Sequence, residues 1–193
     1  MKTREDGLAS GEASIGQVDS RRVYTGRVVS LDVDTVRFPN GVTAELEMIR
    51  HSGASAVVPL LETPGEPVKV LLIRQYRYAA GGFLYEIPAG RLDAGETPEH
   101  CAHRELREET GYTTGRMVAL TAIYTTPGFT DELIHLFLAD DLKPGQSALE
   151  PDEILELKAV FMSEALEMIR IGEIQDGKTI SALLFAARFR EIE

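Results

Sequence analysis

Residues 90–112 read GRLDAGETPEHCAHRELREETGY, and no other stretch narrows the possible folds as far. Thr97-Pro98 predicts a helix start, with the threonine as N-cap and the proline at the first helical position, where its missing N–H costs nothing. Gly111 predicts the stop, as the left-handed residue after the last turn. On the helix between them Glu105, Glu108 and Glu109 fall at i, i+3 and i+4 and share one stripe. Ala102 and Leu106 lie beside that stripe and can anchor the helix to a sheet, while Arg104 borders its other edge. Two carboxylates about 5.5 Å apart repel by about 3 kcal/mol at an effective dielectric near 20. Three of them call for positive charge in their midst, and oxygen-only ligation of this kind suits Mg²⁺ or Mn²⁺. A solvated acidic helix face is the alternative reading of the same spacing. The flanks favour a site. Pro88-Ala89-Gly90 ends a strand at the loop before the helix, and Gly90 lets the backbone approach a ligand closely. Glu96 can reach back into that loop, and Arg104 can form a bidentate pair that orients an acid.

The rest of the chain supplies strands around this helix. Residues 1–20, rich in Gly, Ser and charge without sustained periodicity, read as a flexible tail. From Arg22 to about Ile49 the pattern alternates around Pro39-Asn40-Gly41, a hairpin signal, so residues 21–50 are expected to form a small antiparallel unit. Residues 51–193 form the main domain. Strands are expected at 56–61, 68–74, 83–87, 117–124, 132–139 and 155–162. Ser163 is expected to cap a last helical region, 164–170 followed by 178–190, broken near Gly172. The sum is an α+β sandwich with a mixed sheet, preceded by a small antiparallel N-terminal sheet.

Composition removes several function classes. The chain has 193 residues, enough for one solid core, and 20 Lys+Arg against 31 Asp+Glu give a net charge of −11. That balance argues against a general grip on nucleic-acid phosphates. The single cysteine, Cys101, excludes an internal disulfide framework and fits a reducing compartment. No stretch approaches the roughly 20 apolar residues that cross a bilayer. A soluble cytoplasmic protein without nucleic-acid or membrane partners is expected.

Gly90, then Glu96, then Arg104-Glu105-Leu106-Arg107-Glu108-Glu109-Thr110-Gly111-Tyr112 resembles a complete Nudix box, with the aromatic Tyr112 in its last, bulky-apolar position. The wider chain is similar to the ADP-ribose pyrophosphatase branch of the Nudix hydrolases. Pro127 stands sixteen residues beyond Gly111, where that branch commonly has a proline. Arg74-Gln75-Tyr76-Arg77, the run from Tyr85 to Gly90, and Asp176-Gly177-Lys178-Thr179 are similarly characteristic. The resemblance implies a Nudix-type α/β/α sandwich and hydrolysis of ADP-ribose to AMP and ribose 5-phosphate. It implies that Glu105, Glu108 and Glu109, with the Ala89 carbonyl, hold catalytic Mg²⁺ (or Mn²⁺), and that Gly90, Glu96 and Arg104 support them. It also implies a homodimer, with the N-terminal sheet in its interface. In this branch a general base often comes from an acidic loop after the box. Glu153 is the expected residue, with Glu150 and Asp152 as alternatives.

Other residues carry competing readings. Arg74 and Arg77, at the end of a strand and both expected to face the pocket, suit a phosphate or terminal ribose of a nucleoside diphosphate sugar, or are surface arginines in an acidic chain. Glu86 is a further ligand or a partner of Arg77. Tyr24, Phe38 and Phe129 offer faces for adenine, Phe129 best among them because it follows Gly128 in a loop. Cys101 reads as a small buried hydrophobe, and the four histidines show no metal-ligand spacing. Hydrolysis of GDP-mannose or ADP-glucose on the same scaffold is the nearest alternative activity. A non-catalytic ADP-ribose sensor is another, disfavoured by the intact box and the lack of room for a DNA-binding domain.

Overall fold

The strand β4 (Ala54–Leu61) is buried on both faces. Ala56, Val58 and Leu60 join one apolar cluster and Val57 joins another, so the strand has to lie inside a sheet with a layer on either side. The computed structural model describes residues 14–149 and 154–189 and shows that arrangement. Its chain divides into two compact units, one reaching to His51 and including Gly128–Asp131, the other made of Ser52–Pro127 and Glu132–Glu193.

In the larger unit β4 is joined by β5 (Lys69–Arg77), β6 (Gly82–Glu86), β7 (Ala89–Arg91), β8 (Tyr112–Tyr124), β9 (Leu133–Pro144) and β10 (Leu155–Phe161). The strand order is β10-β5-β4-β9-β8, with β6 paired to β5 and β7 to β4. β4 and β9 run parallel while the other pairs are antiparallel, so the sheet is mixed. The helix α1 (Pro98–Thr110) packs Ala102 and Leu106 on Val57, Phe137 and Ala139. On the other face α2 (Met162–Arg170) and α3 (Gly177–Phe189) place Ala165, Met168, Ala182, Leu183 and Ala186 on Val58, Leu60, Leu136 and Leu138. Each fully buried Leu or Val of this kind contributes about 1.5–3 kcal/mol. The α/β/α sandwich stands as the sequence suggested.

Three local expectations change. Ala89 and Gly90 are not loop but part of the short strand β7, because Ser55 and Ala56 on β4 pair with them. β8 and β9 extend beyond the expected strands by pairing with each other from Tyr112↔Pro144 to Tyr124↔Leu133. Ser163 is not a cap: α2 begins at Met162 after Phe161, with no side-chain cap bond.

The smaller unit is a three-stranded antiparallel sheet of β1 (Gly16–Thr25), β2 (Ser30–Arg37) and β3 (Thr43–Arg50), with β2 central. The expected tail therefore gives way at Gly16, and the expected hairpin gains a third strand. β1 escapes a sequence reading because its exposed, polar run shows no apolar alternation; cross-strand polar pairs hold it instead. Ser20 donates to Asp34 at 2.7 Å and Arg22 pairs with Asp32. Arg50 reaches both aspartates and Asp131, whose other carboxylate oxygen accepts the His51 N–H at 2.8 Å. Asp32 and Asp34 are thus more buried than Val33 between them, a cost offset only by such pairing. Gly128–Asp131 lies along β3 through Ile49 N–H to the Phe129 carbonyl at 2.8 Å and a parallel bridge to Thr130.

Candidate active site

The candidate site is assembled in the larger unit where the end of β6 and β7 meet the second half of α1. Thr97 has extended dihedrals and accepts the His100 N–H at 3.3 Å, and the Ser55 hydroxyl donates to the Pro98 carbonyl at 2.7 Å. These bonds fix the start of α1 against β4. At its other end Gly111 adopts φ 76° and donates to Arg107 O. The loop between β7 and α1 closes on itself: Glu96 N–H bonds Asp93 O at 3.0 Å, and Asp93 N–H bonds Glu96 Oε2 at 3.1 Å.

Arg104 is the hub of this loop. Its Nε and Nη2 make a bidentate pair with Glu96 at 2.9 and 2.8 Å, and Nη2 also donates to the Arg91 carbonyl at 2.9 Å. Nη1 reaches Glu105 at 2.5 Å and Glu108 at 3.3 Å. The hydrogen bonds from Arg104, above all, pull the Glu96 carboxyl down to about 2, and Glu96 in turn raises Arg104 well above the ordinary guanidinium range. Arg104 therefore supplies part of the positive charge that the glutamate spacing demanded. Acids still outnumber bases around it, since Arg104 pairs with Glu96, Glu105 and Glu108, and Arg107 adds a second cation on Glu108.

Glu105 and Glu109 are both buried on α1, and Glu108 is half-buried. A Cβ placed on Gly90 would stand 1.8 Å from Glu105 Oε1, so this carboxylate occupies the space a side chain would take. Glu109 Oε2 accepts the Ala89 N–H at 2.9 Å. Among the described residues no three acid, histidine or cysteine side chains yet converge in ligand geometry. The donor set nevertheless fits a hard divalent cation: oxygen only, two carboxylates held out of water, and backbone brought close by Gly90. Burial pushes the neighbouring Cys101 thiol up to about 11, and Glu105 adds to the effect, so Cys101 is an unreactive packing residue beneath Gly90 and Arg91.

The remaining expected residues are distributed unevenly. Arg77 binds Glu86 with two hydrogen bonds, at 2.8 and 2.9 Å. Burial would raise the Glu86 carboxyl, but Arg77 and Lys178 outweigh it and hold the group low. Glu109 also lies near enough to favour the Arg77 charge. Arg74, three residues away on the same strand, points to the opposite face, where it lies 4.1 Å over the Phe83 ring and pairs with Glu156 at 3.5 Å. The expectation that both arginines face one pocket is therefore corrected by strand alternation. Phe129 is half-exposed and belongs to the smaller unit. Glu153, with Glu150 and Asp152, lies outside the described residues. Lys178, given no role from sequence, is the second cation on Glu86 and also pairs with Asp176 at 3.1 Å. An Asp-x-x-Thr cap ahead of a helix was the available signal for this corner.

Comparison with known proteins places this geometry in a family. A model of the NUDIX domain matches residues 51–183. The chain is 37% identical over 170 residues to an ADP-ribose pyrophosphatase of Bacillus subtilis, and 40% identical over 170 residues to a methanol dehydrogenase activator of Bacillus methanolicus; both matches cover 87% of this chain and 90% of the relative. It is 40% identical over 152 residues to a GDP-mannose pyrophosphatase of Escherichia coli K12, covering 71% of this chain and 78% of that one. A crystal structure of an ADP compounds hydrolase superposes with a TM-score of 0.77 at 20% identity, over 94% of this chain and 96% of that one, which speaks to the fold. With the glutamate-bearing helix, its Gly90 contact and the Glu96–Arg104 clamp all inside the matched segment, the chain belongs to the NUDIX family.

Proposed function

We propose that this chain hydrolyses the pyrophosphate bond of ADP-ribose, releasing AMP and ribose 5-phosphate, with Mg²⁺ as the cation, acting as a homodimer in the cytoplasm. The observation that carries the reading is the burial of Glu105 and Glu109 against the backbone of Gly90 and Ala89. Those two residues, with Glu108 and the Ala89 carbonyl, would hold the cation. When bound, it supplies charge neutralisation on pyrophosphate oxygens and a template for water.

The chain's own residues do the rest. Gly90 admits the Glu105 carboxylate, and Arg104 restrains Glu105 and Glu108 while anchored on Glu96. Arg77, fixed by Glu86 and close enough to Glu109 to feel its charge, is assigned to donate to a phosphate oxygen. Phe129 is assigned to stacking on the nucleobase and Glu153 to taking the proton of the attacking water. The name of the B. subtilis relative supports ADP-ribose as substrate. The E. coli relative supports a second reading, GDP-mannose hydrolysis on the same machinery.

One experiment decides between them: nucleoside monophosphate release from ADP-ribose, GDP-mannose, ADP-glucose and NADH, with and without Mg²⁺. Preference for ADP-ribose that vanishes on chelation is expected. Preference for GDP-mannose would transfer the proposal to the second reading, and turnover of none would sink both.

A further inference from the structure

Four consecutive residues lead from β6 into the glutamate-bearing face, and each is tied by a different partner. The Glu86 side chain is held by Arg77 and Lys178. The Ile87 N–H donates to Thr179 Oγ1 at 2.9 Å. The Pro88 carbonyl accepts the Val57 N–H at 2.9 Å, and the Ala89 N–H donates to Glu109 Oε2 at 2.9 Å. Two of these ties come from the first turn of α3, on the opposite side of the sheet from α1. There Asp176 Oδ2 accepts the Thr179 N–H at 3.0 Å and the Thr179 hydroxyl at 2.6 Å. A hydroxyl has a single proton to give. With it committed to Asp176, the Thr179 oxygen is left with lone pairs for Ile87. Thr179 is fully buried, so the Ile87 N–H has no water to turn to if that oxygen is lost.

We infer that Thr179, set by Asp176, is a positioning residue for the cation-holding face: it fixes the Ile87–Ala89 peptides and so the Ala89 N–H that restrains Glu109. The inference rests on the reading of Glu109 as a cation ligand. Packing alone would not require the hydroxyl, since valine has nearly the same shape. Residues that orient a ligand from behind it commonly change metal affinity by about 10–100-fold when altered. The same range is expected here.

The test is direct Mn²⁺ binding, read by electron paramagnetic resonance or calorimetry, on full-length protein well below its melting temperature. Thr179→Val is expected to weaken Mn²⁺ by about tenfold or more, and Thr179→Ser to restore wild-type affinity. Leu183→Ala, in the apolar core of the same helix, is expected to lower Tm while leaving Mn²⁺ affinity alone. A folded Thr179→Val protein that binds Mn²⁺ as wild type does overturns the inference, as does equal weakening in Thr179→Ser or Leu183→Ala. If Thr179→Val does not fold, Asp176→Asn is read by the same criteria. Wild type that binds no Mn²⁺ removes the Glu109 reading itself before any variant is made. Mn²⁺ binding without hydrolysis would instead be a failure of the substrate proposal alone.

Discussion

An alanine at position 90 would place its Cβ 1.8 Å from Glu105 Oε1 and 2.1 Å from Cδ. Glu105 would have to withdraw, because β7 is paired to β4 and the backbone of Gly90 cannot retreat. Displacing a catalytic group by about 1 Å can cost about 100-fold in rate, so Gly90→Ala is expected to lose activity on that scale with its circular dichroism unchanged. Steady-state kinetics beside the melting curve would check this. Glu109→Gln makes a cleaner test of charge. The glutamine carbonyl can still accept the Ala89 N–H, so shape survives while the anion goes. Turnover with Mg²⁺ should fall by orders of magnitude, with Tm close to wild type. A wild-type rate would remove Glu109 from the metal-holding set. Cys101 teaches the converse: its place one turn before Glu105 invites a chemical reading, but burial holds the thiol protonated and inert.

The loop from β7 to α1 acts as one element because Glu96 and Arg104 bind each other across it. The Glu96 carboxyl titrates at about 2 when folded, below its ordinary value of 4.5. A depressed acid stabilises the fold above its unfolded pKa, and the contribution is lost as pH falls from there through the folded value. Wild type should therefore exceed Glu96→Gln in urea midpoint at neutral pH, with the gap closing below about pH 4.5 and gone near pH 2. A gap that persists at pH 2 would place the stabilisation elsewhere. The elements at the opposite corner work by the same principle. Asp176 caps α3 and Lys178 neutralises Glu86, so a helix terminus and a strand terminus share one set of polar ties.

On the scale of the molecule, the chain divides into a catalytic sandwich and a small sheet whose buried residues include Asp32 and Asp34. The sheet leaves Val18, Val23 and Tyr24 exposed, which suits burial against a second copy. The full chain is expected to sediment as a dimer, and deletion of residues 1–51 to give a monomer with reduced turnover. A fully active monomer would count against a role for the dimer in turnover. Deletion of residues 1–15 should leave the dimer intact, because β1 starts at Gly16. Features governed by local rules were legible in the residues alone. These are the limits of α1 from Thr97, Pro98 and Gly111, the glutamate stripe from helical period, and a strand from the apolar run at 56–61. The family was legible too, because the box is contiguous and every spacing within it is set by one turn and one helix. Tertiary structure alone decided the rest. Gly128–Asp131 joins β3 across about eighty residues through Asp131 and Arg50. Glu86 finds Lys178 ninety-two residues away, and Thr179 meets Ile87. Such contacts join elements distant in the chain, and the energy of a buried polar pair depends on where the fold brings its partners, which no local spacing encodes.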